Sequence, residues 1–378
     1  MIYKSFGSTK ENISILGFGC MRLPILDNDT SKINEPEAIN LIRYAIDNGV
    51  NYIDTAYPYH REMSESLVGK ALQDGYREKI HLATKLPSWL IKAPEDFDHY
   101  LNEQLEKLQT DHIDFYLVHA LNKNFWKNVK EHGLFDFLDK IQKDGRVKHI
   151  GFSFHDELDL FKEIVDAYPW SFCQIQYNLL DRDYQAGEEG LDYAKNKGLA
   201  TIIMEPLRGG FFTRNVPNDI AAKWNESEIK RSPAEWAFKF LWNNPKVDLV
   251  LSGMTSLDQL KENIATASNS PANSLSEKEV NIINDVTQIY KDRIAVDCTN
   301  CKYCMPCPAN VAIPDCFEQY NNAAMFGDVE TAKNQYQMFI GSKKFASLCV
   351  ECGKCEKACP QHIPIREKLK EVANLFEK

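Results

Sequence analysis

The sequence predicts an α/β chain: a (β/α)8 TIM barrel followed by a small, mainly α-helical, cysteine-rich domain. Three observations lead there. Short apolar runs alternate with helical periodicity eight times, and eight such units over about 250 residues fit one closed barrel. No glycine-rich dinucleotide turn follows the first strand, where the chain reads Gly17-Phe18-Gly19-Cys20-Met21-Arg22, so an open doubly wound sheet fits less well. Nine of the eleven cysteines lie between Cys298 and Cys359.

In chain order, residues 1–15 read as a β-hairpin turning over 7–12. Strands are predicted over 15–19, 52–56, 80–86, 113–119, 147–154, 172–178, 200–207 and 247–253. Helices are predicted over 35–48, 64–73, 94–108, 134–143, 157–167, 187–197, 232–243 and 257–267. A further helix over 276–293 leads out of the barrel, and helical patterns recur over 315–326, 329–339 and 365–376. The expected division is a barrel over 1–275, a connecting helix over 276–296 and a cysteine domain over 297–378.

The totals, 378 residues, 44% hydrophobic and 26% charged, are those of an ordinary globular chain. A net charge of −10 argues against nucleic acid as a partner, because phosphate binding calls for a basic face. No apolar run approaches the roughly 18 residues of a membrane span, and Met1-Ile2-Tyr3-Lys4-Ser5-Phe6 lacks a signal-peptide layout. No membrane association and a cytoplasmic location are therefore expected. Disulfides are rare in that compartment, so a tight cysteine cluster suggests metal.

Three predicted strands end on side chains that suit one reaction. Asp54 closes one, with Tyr59 five residues later; Lys85 closes the next, and His119 the one after. Parallel strands would place these four around one pocket. A phenol with an ordinary pKa of about 10 gives up its proton more readily beside an ammonium group. Lys85 would supply that charge, and Asp54 would hold Lys85 charged and oriented. His119 could donate a hydrogen bond to a substrate carbonyl oxygen as negative charge gathers there. A lone Tyr, Lys or His at a strand end is usually structural; four in order on three consecutive strands make a general-acid site.

Asp54-Thr55-Ala56-Tyr57-Pro58-Tyr59, Ala83-Thr84-Lys85 and Leu117-Val118-His119 resemble the aldo-keto reductase superfamily, and the likeness runs from residue 1 to about 270. The resemblance implies an NAD(P)H-dependent oxidoreductase that reduces an aldehyde or ketone, or oxidises the alcohol. Tyr59 would be the acid and His119 would orient the substrate, while Lys85 and Asp54 tune the tyrosine. NADH or NADPH would lie extended across the barrel mouth, touching Gly19, Cys20, Met21 and Asp54 at the first strand ends. Ser153, in Gly151-Phe152-Ser153-Phe154-His155, and Gln176 would hold the carboxamide, with Phe154 where the family has asparagine. Met204 stands where a ring commonly stacks on the nicotinamide. Pro206, Leu207, Arg208 and Gly209 would approach the pyrophosphate, Arg208 as its charge partner. Ser252, Gly253, Met254, Thr255, Gln259, Glu262 and Asn263 match the adenosine end. Gly253 and Gln259 replace the Lys and Arg with which NADPH-specific members grip the 2′-phosphate, so NADH fits at least as well. Tyr57, Trp89, Leu121 and Phe154 are the expected substrate wall, apolar and aromatic.

Cys298-x2-Cys301-x2-Cys304-x2-Cys307-Pro308 and Cys349-x2-Cys352-x2-Cys355-x3-Cys359-Pro360 resemble two copies of the bacterial ferredoxin run, the first one residue short before its last cysteine. In that pattern the fourth cysteine ligates the other cluster. Cys298, Cys301, Cys304 and Cys359 would then hold one [4Fe-4S] cluster, and Cys349, Cys352, Cys355 and Cys307 a second. Structural zinc also uses Cys-x2-Cys pairs, but a proline after the last cysteine favours iron–sulfur. Cys316 is left over as a buried thiol. The helical stretch between the runs resembles helical dicluster ferredoxins, and barrels with such a tail form a branch of the aldo-keto reductases. Hydride carries two electrons and each cubane one. The clusters would either relay electrons to an external redox partner protein or pin the tail structurally. The competing reading is an electron-transfer or redox-sensing protein whose barrel binds nucleotide without carbonyl turnover.

Overall fold

A computed structural model describes residues 1–27 and 29–378. They form two compact units, Met1–Gly209 with Ala234–Ser276, and Gly210–Pro233 with Glu277–Lys378.

The first unit is a closed barrel of eight parallel strands. In chain order these are β1 (Leu16–Gly19), β2 (Tyr52–Asp54), β3 (His81–Leu86), β4 (Ile113–Leu121), β5 (Val147–Phe154), β6 (Phe172–Gln176), β7 (Ala200–Met204) and β8 (Leu249–Ser252). β8 closes on β1 in a register running from Val250↔Leu16 to Ser252↔Phe18. Strands buried on both faces show no polar–apolar alternation, so side-chain direction is read from contacts. Tyr52 on β2 meets Phe115 on β4 at 5.3 Å between ring centroids, and Phe115 meets Phe172 on β6 at 5.3 Å. These strands are not neighbours, so the rings meet inside the barrel. Phe6, from the antiparallel hairpin Tyr3–Ser5 and Asn12–Ser14, joins the same interior cluster. One residue along each strand, Ile53, Tyr116, Val118, Phe152 and Ile203 face the larger core under the helices. Counting in twos from the interior rings puts Asp54, Lys85, His119, Ser153, Gln174, Gln176 and Met204 on the inner face above them.

The helical layer follows the predicted periodicity, with Pro94–Leu108 and Leu134–Lys143 at the predicted bounds. Pro94 sits in the first turn, where its missing N–H is not needed. The Asp96 carboxylate accepts from the backbone N–H groups of Lys92 and Ala93 at 2.7 and 2.9 Å, fixing that start. A helix not predicted, Lys123–Glu131, is capped by Asn122, whose side chain accepts from the N–H groups of Asn124 and Phe125. At Gly151 β5 and β6 approach so closely that a Cβ would lie 2.5 Å from the Phe172 carbonyl oxygen.

The second unit is helical. Residues 210–233, expected within the barrel, fold with this unit and include the short helices Phe211–Arg214 and Asn218–Trp224. Phe326 of the helix Ile313–Phe326 stacks on Phe211 at 4.9 Å and meets Tyr290 of the helix Glu277–Lys291 at a tilt, also at 4.9 Å. Arg293 donates to both carboxylate oxygens of Asp219 at 2.5 and 2.7 Å. The helix predicted to connect the domains is thus part of this core. Tyr336 is its second centre, stacked on Phe345, tilted against Phe376 and donating to Glu377 at 2.6 Å. Among the described residues no helix is long and apolar enough to cross a membrane.

Candidate active site and cysteine clefts

The β2, β3 and β4 ends bring the tetrad together. The Lys85 ammonium donates to Asp54 Oδ1 at 2.7 Å, to the Thr55 carbonyl at 2.8 Å and to the Tyr59 hydroxyl at 3.3 Å. His119 stands edge-on to Tyr59, with ring centroids 6.2 Å apart. Burial acts to lower the Lys85 pKa, but the Asp54 carboxylate and Tyr59 outweigh it and hold the ammonium above its ordinary value. Burial pushes the Asp54 carboxyl up against the pull of Lys85. The lowered phenol pKa expected from the sequence is not found: burial raises Tyr59, and Lys85 only offsets part of it. Burial, with the Lys85 charge, drives His119 well below its ordinary value, so it stands neutral.

The loop carrying Tyr59 is unusual. His60, Arg61 and Glu62 have φ of +51°, +50° and +71°, three successive residues in the left-handed region. His60 holds this turn: its Nε2 accepts from the Leu23 N–H at 3.1 Å, so Nδ1 carries the proton given to the Thr30 carbonyl at 2.9 Å. Sequence reading missed His60, because its partners lie on another loop.

The expected substrate wall fares unevenly. Trp89 lies 5.3 Å from His119 between ring centroids. The other three turn away from the cleft. Phe154 is on the outer face of β5, its ring 5.2 Å from Phe161 of the helix Leu158–Ala167. Leu121 follows the irregularity between Val118 and Leu121 and is buried in the core under the helices. Tyr57 meets Tyr100 of the helix Pro94–Leu108 edge-on at 5.5 Å and lies under the Lys107 ammonium at 4.3 Å. Phe154 sits one step of side-chain alternation away from the inner face, Leu121 is displaced by the strand irregularity, and Tyr57 lies on the loop after β2.

The inner face of β5 to β7 suits a carboxamide. Ser153 Oγ accepts from the Ala120 N–H at 2.7 Å, leaving its proton to donate. Gln176 donates to Asp181 at 2.9 Å and keeps its carbonyl free to accept. Gln174, not singled out from the sequence, donates to Met204 Sδ at 3.5 Å and has a buried carbonyl oxygen without a partner. These acceptors and the Ser153 donor match the two N–H bonds and one C=O of a nicotinamide amide. Arg208, expected at the pyrophosphate, pairs with Asp181, which also accepts from Asn178 at 2.8 Å. Met254 is buried in the core, so only its backbone is available to a ligand, whereas Met21 is exposed.

At the adenosine end Asn263 donates to Ser252 Oγ at 3.2 Å, and Gln259 accepts from the Thr255 N–H at 2.9 Å. Neither residue 253 nor 259 offers a charge. A cation comes from elsewhere: the Arg22 stem lies over Gly253, whose Cβ would be 3.0 Å from Arg22 Cβ, and the guanidinium sits 3.7 Å from Glu205.

In the second unit all eight motif cysteines are free thiols gathered at two clefts. Cys298, Cys301, Cys304 and Cys359 line one with Ile313, Phe317 and Ile365. Cys307, Cys349, Cys352 and Cys355 line the other, with Cys304 at its edge. Among the described residues no three His, Cys, Asp or Glu side chains converge as a single-ion site would require. Four thiols spread around a cleft suit a cluster, whose irons are bound at separate corners. Cys316 is buried elsewhere, within 3.9 Å of the Tyr336 hydroxyl.

The geometry is that of a (β/α)8 barrel with a buried Lys–Asp–Tyr cluster at its strand ends, and comparison with known proteins says which class this is. Residues 15–288 match the aldo/keto reductase family and residues 297–363 a 4Fe-4S dicluster domain. The chain belongs to the aldo/keto reductase family and carries a C-terminal 4Fe-4S ferredoxin-type domain. It is 28% identical over 319 residues to the probable aldo-keto reductase 1 of Glycine max, covering 75% of this chain and 88% of that protein. A holo-form aldo-keto reductase from Bacillus halodurans superposes with a TM-score of 0.64 at 25% identity, over 76% of this chain and 96% of that one. A Klebsiella pneumoniae aldo-keto reductase solved with NADPH shares the fold, with a TM-score of 0.61 at 21% identity over 76% and 96% of the two chains.

Proposed function

We propose that the protein transfers hydride between NAD(P)H and an aldehyde or ketone, with Tyr59 as the proton donor and the reverse reaction open to it. The observation that carries this reading is the Lys85 ammonium, bonded at once to Asp54 and to the Tyr59 hydroxyl. NAD(P)H supplies the hydride when bound, with Ser153, Gln174 and Gln176 as the groups that would hold its carboxamide. Tyr59 keeps its proton through neutral pH because burial raises its pKa, and so remains ready to donate to the substrate oxygen. As the proton leaves, Lys85 stabilises the phenolate from 3.3 Å. Neutral His119 donates an N–H to the same oxygen, and Trp89 bounds the pocket beside it. Asp54 does not touch the substrate; it orients Lys85. The second unit would hold two [4Fe-4S] clusters on the ligand sets given by the two clefts, in exchange with a redox partner protein.

Tyr59→Phe tests the assignment. Carbonyl reduction should fall by about 10²–10⁴-fold in kcat, the usual contribution of a placed general acid, with nucleotide affinity nearly unchanged. Full turnover in that variant would remove Tyr59 from the role. A wild-type protein that binds nucleotide but turns over no carbonyl would favour a redox-sensing barrel.

A further inference from the structure

The two cysteine clefts are not equivalent. The one holding Cys298, Cys301, Cys304 and Cys359 has only about 20 Å³ of free space, lined by the buried Ile313, Phe317, Ile363 and Ile365 and by the exposed polar side chains of Thr299, Lys302 and Gln361. The one holding Cys307, Cys349, Cys352 and Cys355 has about 230 Å³, and Cys352 is the exposed member of the eight. Its rim includes Tyr303 and Val350, large apolar side chains 69% and 68% exposed, and Met305. Exposed apolar groups collected at one mouth are characteristic of a contact surface.

The charge around this rim is one-sided. Residues 297–378 contain ten acidic and ten basic side chains, so the net charge of −10 belongs to residues 1–296. The acids beside the cleft are paired: Glu356 with Arg366 at 2.7 Å and Glu351 with Lys370 at 2.8 Å. Lys354, on the cleft wall, and Lys357, three residues on, are exposed and form no ion pair among the described residues. Lys343 and Lys344 are also exposed. Their carbonyls accept from Asn310 and from the Ala312 N–H at 3.1 and 3.0 Å, which ties them to the segment after Cys307. Asp315 is the acid that faces Lys302 and Lys344. An acidic partner is repelled by the rest of the chain and attracted here.

We propose that the Cys307/Cys349/Cys352/Cys355 cleft is the docking port for a small acidic one-electron carrier protein, gripped by Tyr303, Met305 and Val350 and steered by Lys343, Lys344, Lys354 and Lys357. The proposal rests on the reading of the cysteines as cluster ligands. Exchange here moves one electron at a time: the reduced carrier loses one and the oxidised cluster gains one, with no bond made or broken. The narrower cleft is lined by no exposed large apolar side chain, so it offers such a carrier no comparable grip.

The test is a binding titration of anaerobically purified protein with an acidic [2Fe–2S] ferredoxin, with basic cytochrome c as the opposite-charge control. Wild type should bind the ferredoxin, and Kd should rise at least about 10-fold between low and 0.5 M salt. The variant Lys343→Glu/Lys354→Glu/Lys357→Glu should raise Kd by about 10-fold or more, while Lys127→Glu in the barrel unit should not. Val350→Ser should weaken binding without changing its salt dependence. Iron and sulfide content, measured on every variant, separates the two readings. Clusters present with no ferredoxin binding, or with binding indifferent to the lysine reversals, overturns the port alone. Iron-free protein from anaerobic preparation overturns both. A dimer that the same reversals dissociate gives the face to a second copy and overturns the carrier.

Discussion

The two units hold their chemistry in opposite ways. In the barrel, strand register sets Asp54, Lys85 and His119, the loop after β2 brings Tyr59 to them, and the protein's own groups make the buried ion pair. Around the cysteines, little regular structure intervenes. Asn300, Lys302, Asn310, Glu351 and His362 all take positive φ, and the clefts are walled mainly by the loops that carry the thiols. A sheet can preorganise a site from its own hydrogen bonds, whereas short cysteine loops depend on the group they bind. The barrel site follows from the fold alone, whereas the proposed clusters would help to hold the second unit's loops together.

The largest expected effect comes from removing iron. Chelation under anaerobic conditions should abolish hydrogen-exchange protection over residues 297–363 and leave the β2 to β6 amides protected. Equal loss in both units would break the contrast. Next, Lys85→Met leaves the Asp54 carboxylate buried without its cation and should cost about 3–5 kcal/mol of barrel stability, read by denaturant unfolding. The iron–sulfur spectrum should not change. Adding Asp54→Asn should recover part of the loss.

A pH profile sharpens the same point at smaller amplitude. Tyr59 must be protonated to donate, and its pKa is raised, so the rate of reduction should be flat through neutral pH and fall only above about pH 10. His119 is already neutral there and adds no inflection. A step between pH 6 and 8 would move the proton chemistry to another group. The smallest effect is expected from Gln259→Arg, which restores a cation at the adenosine end. It should lower KM for NADPH by about threefold to tenfold, leaving KM for NADH unchanged. No change for either cofactor would mean that Arg22, lying over Gly253, already fills that role.

Much of this was legible in the chain. The eightfold alternation gives the barrel, since no other sheet accommodates eight βα units of this length so simply. The tetrad was legible because Asp54, Lys85 and His119 each end an apolar run with Tyr59 just beyond the first, and strand ends on one barrel face must converge. The cysteine spacings gave the metal chemistry, because two-residue gaps return successive thiols to one side of a cluster. Tertiary structure alone decided which way side chains point along strands apolar on both faces. Alternation is invisible there, so Phe154 reads as a pocket residue although it faces a helix, and Gln174 faces inward; Leu121 is displaced by a strand irregularity, and Tyr57 sits on a loop against Tyr100. It also decided long-range partners. Arg208 took Asp181, Arg22 came to lie over Gly253, and residues 210–233 left the barrel for Phe326 and Arg293. Sequence fixes what recurs along the chain; who meets whom across it depends on the geometry of the packed molecule.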